Sequence, residues 1–374
     1  MGIESRHPHF VNTQEQWQRI RDSFNGSDSI KGEGESYLPR LGGQSNDEYD
    51  SYKLRAVYYN GIERTVRGLV GAVMRVEPII EVPKKIEALL GDITNTGVSL
   101  NDFISYMLSE QLLMGRQGIL VDRDNERPYL TGYSTEQITN WLDDRIILEE
   151  NYRRISKDDP YQSDYDIQYR ELVKDGNSYI VNVWQKFDAG WQIVEEILPT
   201  RKGTQLTDIP FIGISGDGFN LSPSIPPMLA LSDTGISMYR TSADLEHGRH
   251  FTALPTPYVT GIDVDSELKI GSGSAWILPD SSSRAGYLEF SGQGLQALEK
   301  AMEEKRSMMA SLGAQLLQSQ KAGIESADSI RLRQNAEAST LVGVVKTVER
   351  AIKQALITMA EWEGVAGEVV VDLN

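Results

Sequence analysis

Two runs of helical spacing, Ser224 to Leu254 and Gly294 to Gln318, flank about forty residues with no helical period, and this interruption limits what the chain can fold into. At about 1.5 Å per residue the runs reach about 45 Å and about 37 Å, lengths that suit an antiparallel pair. In the second run Leu295, Leu298, Met302, Met309, Leu312 and Leu316 share one seam, broken only by Lys305. The first run carries Ile225, Leu229, Ile236 and Tyr239, and the same stripe then turns polar through Ala243, Glu246 and His250. Such a helix has one buried end and one end that is wet or meets polar partners. That suits a rod projecting from a body better than a rod sealed in a core.

Upstream, helical patterns give way to β patterns. A helix is expected over Thr13 to Phe24, with Thr13 as N-cap and Trp17, Ile20 and Phe24 on one face. The glycine-, serine- and acid-rich stretch after it predicts a polar loop. Asp47 to Arg75 then predicts one long helix with Ile62, Val66, Leu69, Val70 and Val73 on its seam and Gly68 and Gly71 permitting close packing. Pro78 and Pro83 bound a short extended segment. Ser99 with Asp102 opens a helix through Met114 that Gly115 ends, and Gly118 to Asp122 reads as a buried strand. Strand candidates follow at Ile146–Tyr152, Gln168–Leu172, Tyr179–Gln185 and Gln192–Ile197, with hairpin turns at 175–177 and 188–190.

A proline-rich linker (Ser222, Pro223, Pro226, Pro227) opens the first long run. Inside the excursion PYVTGI, SAWIL and GYLEF are strand candidates. A polar stretch, SQKAGIESAD, precedes a last helix through Trp362 whose seam of Leu341, Val345, Val348, Ile352, Ala355, Met359 and Trp362 is unbroken. VVVDLN then reads as a strand, and its need for a partner suggests chain beyond Asn374.

Composition bounds the function classes. A chain of 374 residues buries about three quarters of its unfolded surface and has room for two or more domains. With 37 Lys and Arg against 54 Asp and Glu, it lacks the clustered cations that coat nucleic acid or anionic membrane. Without cysteine there is no disulfide and no thiolate metal site. No apolar run nears the ~20 residues that cross a bilayer, and the N-terminus shows no signal-peptide core, so action in the cytosol or release by lysis is expected.

Chemistry-bearing motifs are sparse. The dipeptide GK never occurs, so there is no P-loop, and the glycines at 216 and 271 read as turn glycines. His247 and His250 share a helix face and Asp263 and Asp265 share a strand face, the one grouping that could hold a metal. A polar helix face and a solvated acidic strand explain the same residues. No Ser–His–Asp set can be assembled from the four histidines.

Several strings, YLPRLGGQSNDEYDSYKLRA (37–56), NGIERTVRGLVGAVMR (60–75) and LLMGRQGILVDRD (112–124), resemble a subgroup of the portal (head–tail connector) proteins of tailed bacteriophages. The resemblance covers most of the chain. It implies an α+β, portal-like fold: a helical and β wing, two long stem helices and a small inserted β clip, with the C-terminal crown absent or truncated. The implied division is wing 1–222, first stem helix 223–257, clip 258–291, second stem helix 292–318, tunnel loop 319–328, and wing helix with final strand 329–374.

That resemblance implies a ring of copies, commonly twelve, at one capsid vertex of the virion, assembled in the host cytoplasm. Double-stranded DNA would slide through it without sequence preference during packaging and ejection. Other implied partners are the terminase large subunit, which would hydrolyse the ATP, a head–tail adaptor and the major capsid protein. No enzyme activity, cofactor, metal or membrane is implied. The tunnel loop would offer Ser319, Gln320, Lys321, Glu325, Ser326 and Asp328, and the clip would offer Asp263, Asp265, Glu267, Lys269, Trp276 and Arg284 for docking. The stem would carry Tyr239, Glu246, His250, Glu299, Glu303 and Lys305. Two other readings stay open at this point. One is a soluble α+β metal-dependent hydrolase using His247, His250, Asp263 and Asp265; the other is a capsid-associated structural protein without a channel.

Overall fold

The computed structural model of the chain describes residues 2–124, 126–155, 161, 163–216, 218–253, 256–261, 282–288, 293–313 and 327–373. The protein mixes helix and sheet, α+β in class. It divides into two compact units, one built from Met1–Asn25, Gly61–Asp233 and Leu312–Asn374, the other from Gly26–Asn60 and Thr234–Ser311.

Helix α1 (Pro8–Asn25) starts upstream of the expected Thr13. Pro8 suits a first turn because its φ is already helical and its missing N–H would have no partner there. Thr13 is therefore not a cap; its hydroxyl donates to the His9 carbonyl (2.8 Å) inside the helix. Nor is the next stretch a polar loop. Helix α2 (Ser27–Gly32) and a 3-10 turn (Gly34–Ser36) help to bury Ile30, Tyr37 and Leu38.

The long helix expected over Asp47 to Arg75 is two helices, α3 (Asn46–Arg55) and α4 (Gly61–Val73). Helix α3 opens on a capping box in which the Ser45 N–H donates to Glu48 Oε2 (2.7 Å) and the Glu48 N–H donates to Ser45 Oγ. Between the helices Ala56 turns extended and Ala56 and Tyr58 are buried. Val57 keeps both backbone groups satisfied through one hydroxyl: its N–H donates to Ser242 Oγ (2.7 Å), and Ser242 Oγ donates to its carbonyl (2.9 Å). That bond pair removes the usual penalty for leaving the helix, so packing of the flanking apolar residues decides. Gly71 does not serve close packing, since a Cβ there would meet open space.

Strand β1 (Ile79–Glu81) and the short α5 (Lys84–Glu87) lead to α6 (Leu100–Met114), capped by the Ser99 side chain and ended by Gly115 at φ 67°. Strand β2 (Arg116–Arg123) is central in a three-stranded sheet between β3 (Pro128–Ser134) and β11 (Phe211–Ser215). A five-stranded antiparallel sheet runs in chain order through β4 (Ile138–Leu142), β5 (Arg145–Ile155), β6 (Ser163–Asp175), β7 (Ser178–Phe187) and β8 (Gly190–Ile197). The expected turns join β6 to β7 and β7 to β8, with Gly176 and Gly190 both at positive φ. A tight hairpin, β9 (Thr200–Arg201) and β10 (Thr204–Gln205), follows.

One long side chain ties this region together. Arg116 is fully buried, and its guanidinium donates to the carbonyls of Leu221 (2.7 Å), Thr135 (2.8 Å) and Ile138 (3.3 Å) and to Thr135 Oγ1 (3.0 Å). It lies over the Trp141 ring at 4.3 Å and near Trp17 at 5.5 Å. Burial pushes its pKa down.

Helix α7 (Leu229–Ala253) begins later than the expected Ser224. Ile225 and Pro226 each precede a proline, and the proline ring drives the preceding residue out of the helical region. Ile225 consequently leaves the seam and is 84% exposed. Strands β12 (Thr256–Thr260) and β13 (Arg284–Leu288) pair antiparallel, and α8 (Gln293–Leu312) follows. The expected SAWIL strand and the second run beyond Gly313 lie outside the described residues.

Helix α9 (Ala327–Glu363) buries Val345, Val348, Ile352, Ala355, Met359 and Trp362 on the expected seam, packed with α6, β2 and β3 in the core of the first unit. Strand β14 (Val370–Asp372) finds its partner in β1, antiparallel, with Ile80 opposite Val371.

Candidate functional site

The two long runs fold as α7 and α8, the strands β12 and β13 pair between them, and from Thr234 to Ser311 this stretch belongs to the second unit. Contacts set the two helices antiparallel. Toward the start of α7, Lys305 of α8 donates to the Ser237 carbonyl (3.0 Å) and to Thr241 Oγ1. Further along α7, Arg249 donates to Glu299 (2.9 Å). Gly248 lies against Leu295, where an added Cβ would come within 2.6 Å of a leucine methyl. As α7 advances its partners on α8 recede in number, and the register 256↔288 of β12 and β13 closes the far end.

Burial along α7 follows the stripe read from the residues. Ile236, Tyr239 and Ala243 are buried with Ile30, Tyr37, Tyr49, Tyr52 and Tyr58, a cluster dominated by tyrosine. Tyr239, given to the stem, is fully buried there, and desolvation pushes it up to about 12. Tyr52 donates to Asp244 (2.6 Å), and burial followed by that carboxylate raises its pKa. From Glu246 onward the helix is partly exposed and meets polar groups. Arg249 bridges Glu246 (2.8 Å) and Glu299, which raise its pKa. His250 Nε2 lies 3.3 Å from the Arg55 guanidinium. Glu303 pairs loosely with Arg306 at 3.7 Å.

Lys305, the break in the α8 seam, now has a reason. A methylene stem lies on the apolar seam while the ammonium reaches mid-helix oxygens of α7. Desolvation lowers its pKa, with Asp244 acting upward and Arg240 downward. A cleft of about 350 Å³ between the helices has Val57, Met238, Leu245 and Met302 among its lining and Glu246, Arg249, Glu299, Glu303 and Arg306 around them. Its charges are already paired with one another, so the cleft gathers no free acid, base or nucleophile.

Of the hydrolase grouping only the two histidines lie among the described residues. His247 and His250 share a helix face, but Arg55 stands against His250, and desolvation with Arg55 lowers the His247 pKa. A fixed cation at that point repels a metal ion. Among the described residues no three His, Asp or Glu side chains gather as a metal site. Asp263 and Asp265 lie outside the described residues, as do Glu267, Lys269 and Trp276 of the clip. Arg284 opens β13, opposite Thr260, and is exposed. Ser319, Gln320, Lys321, Glu325 and Ser326 also lie outside them, and Asp328 has only its backbone described, in the first turn of α9. Sequence reading missed the Ser242 clasp on Val57, the Gly248 approach and the buried Arg116. A polar residue inside an apolar stretch was the available signal for Arg116.

Residues 227–363 match a family described as a domain of unknown function (DUF4055), a span that takes in α7, the strand pair, α8 and α9. No curated protein matches the chain. Among solved structures it is similar to the neck of an empty GTA particle computed with C6 symmetry, at 13% identity and TM-score 0.47 over 83% of this chain and 80% of that one. It is also similar to the virion of a native gene transfer agent (GTA) particle, at 12% identity and TM-score 0.48 over 92% and 88%. A third is the neck of a native GTA particle computed with C12 symmetry, at 14% identity and TM-score 0.45 over 84% and 81%. No helix among the described residues is long and apolar enough to cross a membrane.

Proposed function

We propose that this chain is the repeating subunit of a phage-type portal, a ring at one capsid vertex through which double-stranded DNA passes. The observation that carries the reading is the antiparallel pair α7 and α8 with paired strands at its far end, together with the portal-like strings at 37–56, 60–75 and 112–124. Repeated around an axis, such a pair builds a wall, and the strand pair presents a rim to a docking partner. Head-to-tail contacts that close on themselves are what a ring requires.

Charge supports a conduit over a DNA clamp. Each subunit carries a formal charge of −17, so an assembled ring repels phosphates on the whole. Every cation that neutralises a phosphate adds a counterion-release contribution, and many of them would hold the duplex still. Sparse cations among carboxylates let it slide. Terminase, adaptor and major capsid protein are the proposed partners, with the clip segment 258–291 meeting the first two and the loop 319–328 facing the duplex.

Mass photometry and negative-stain imaging of the purified chain test this. Closed rings with an open centre, which fail to retain linear duplex at physiological salt, are expected. A stable monomer at every concentration would refute it.

A further inference from the structure

The five-stranded sheet has two unequal edges, and both are partly open. On one side β8 is bare: every residue from Gln192 to Leu198 is exposed, including Ile193 (45%), Val194 (45%), Ile197 (36%) and Leu198 (52%). The strand carries neither lysine nor proline, the residues that commonly guard an edge. On the other side β4 is covered by the N-terminal segment, where the His7 N–H donates to the Thr139 carbonyl (3.0 Å) and Asn140 donates to the Ser5 carbonyl (2.8 Å). Strand β4 reaches only to Leu148 of its neighbour, so β5 runs on from Glu149 with nothing paired on that side among the described residues.

The geometry points to strand addition between copies: the free edge of β8 in one subunit pairs with the outer stretch of β5, residues 152–154, in the next. Charge selects this partner. Glu195 and Glu196 are consecutive, so they project to opposite faces of the sheet, and neither forms an ion pair among the described residues. Arg153 and Arg154 are also consecutive and exposed, one to each face. Arg154 already leans on Asp166 (3.0 Å), while Arg153 has no such partner among the described residues.

Direction agrees as well. Counting through the antiparallel sheet, β8 runs opposite to β5, so a neighbour in the same orientation adds an antiparallel strand. The register that sets Glu195 against Arg154 and Glu196 against Arg153 also sets Ile197 against Tyr152. Alternative pairings are penalised. Two β8 edges brought together would oppose like charges, and the free part of β6 carries Asp164 and Asp166. The extra residue of the β8 bulge, Val194, bends the bare edge and leaves the regular segment 195–197 for pairing. Because the two edges lie on opposite sides of one sheet, the contact is heterologous and propagates from copy to copy. This inference rests on the ring reading and names the surface that joins the subunits.

The chain has no cysteine, so engineered pairs report cleanly. Glu196→Cys and Arg153→Cys would be made singly and together in the full chain and oxidised. Within one molecule β5 and β8 are three strand spacings apart, about 14 Å, beyond the ~7 Å limit of a disulfide. The double variant should give a ladder of covalent multimers on a non-reducing denaturing gel, and each single variant should run as monomer. In parallel, E196R should cut the assembled fraction at least tenfold, and adding R153E should restore it. Dimers from Glu196→Cys alone would mean self-paired edges and overturn the inference. Native oligomers without a ladder would overturn it while leaving the ring standing. A protein monomeric at all concentrations would remove both.

Discussion

Replacing Arg116 with methionine tests how a buried cation organises the first unit. The guanidinium donates to three carbonyls, at Leu221, Thr135 and Ile138, plus Thr135 Oγ1. No carboxylate among the described residues comes within ion-pair distance of it. Stranding three or four buried acceptors at about 1 kcal/mol or more apiece costs about 3–5 kcal/mol. Methionine fills much of the volume, and removing an unpaired buried charge returns part of that cost, leaving about 3 kcal/mol. With a urea m-value of about 3 kcal/mol/M, the midpoint should fall by about 1 M. Trp17 and Trp141 flank the guanidinium, so tryptophan emission reports this region directly. Arg116→Lys, which keeps the charge but loses the fork, should fall between wild type and Arg116→Met. An Arg116→Met protein as stable as wild type would show that the four oxygens are satisfied without the side chain and would refute a structural role for the guanidinium.

Three further outcomes are expected. Ser242→Ala strands both backbone groups of Val57 and should cost about 2 kcal/mol in thermal or urea unfolding, whereas Ser242→Thr keeps the hydroxyl and should recover part of it. Lys305→Met completes the α8 seam and should stabilise the second unit by about 1 kcal/mol. Because the folded-state pKa of Lys305 lies below its ordinary 10.5, the unfolded chain binds more protons between those two values. Wild-type stability should therefore rise with pH through that window, and Lys305→Met should remove this rise; an unchanged pH profile would contradict the burial of the ammonium. Gly115→Ala forces a side chain into a left-handed position with its Cβ 3.0 Å from Pro227, and should cost about 1–2 kcal/mol or more by the same unfolding assay.

Much of the architecture was legible in local chemistry. The α9 seam, the Ser99 start and Gly115 stop of α6, the turns at 175–177 and 188–190, and the apolar-to-polar change along α7 all follow from side-chain period and backbone preference. Those signals need only neighbours a few residues away. Proline chemistry also lay in plain view at Pro226 and Pro227, though its effect on Ile225 was misjudged.

What residues alone could not reveal depends on partners distant in sequence. The break between α3 and α4 exists because Ser242, 185 positions away, satisfies Val57 while Ala56 and Tyr58 enter the core. Lys305 looked like a flaw in a seam until its ammonium was set on the carbonyl of Ser237. Arg116, which drew no reading of its own from the residues, is a fully buried hub. The bareness of β8 likewise emerges only from the order of strands in the sheet. Periodicity reports which face of an element is apolar; only the assembled chain decides which groups from remote segments complete the bonds that face requires.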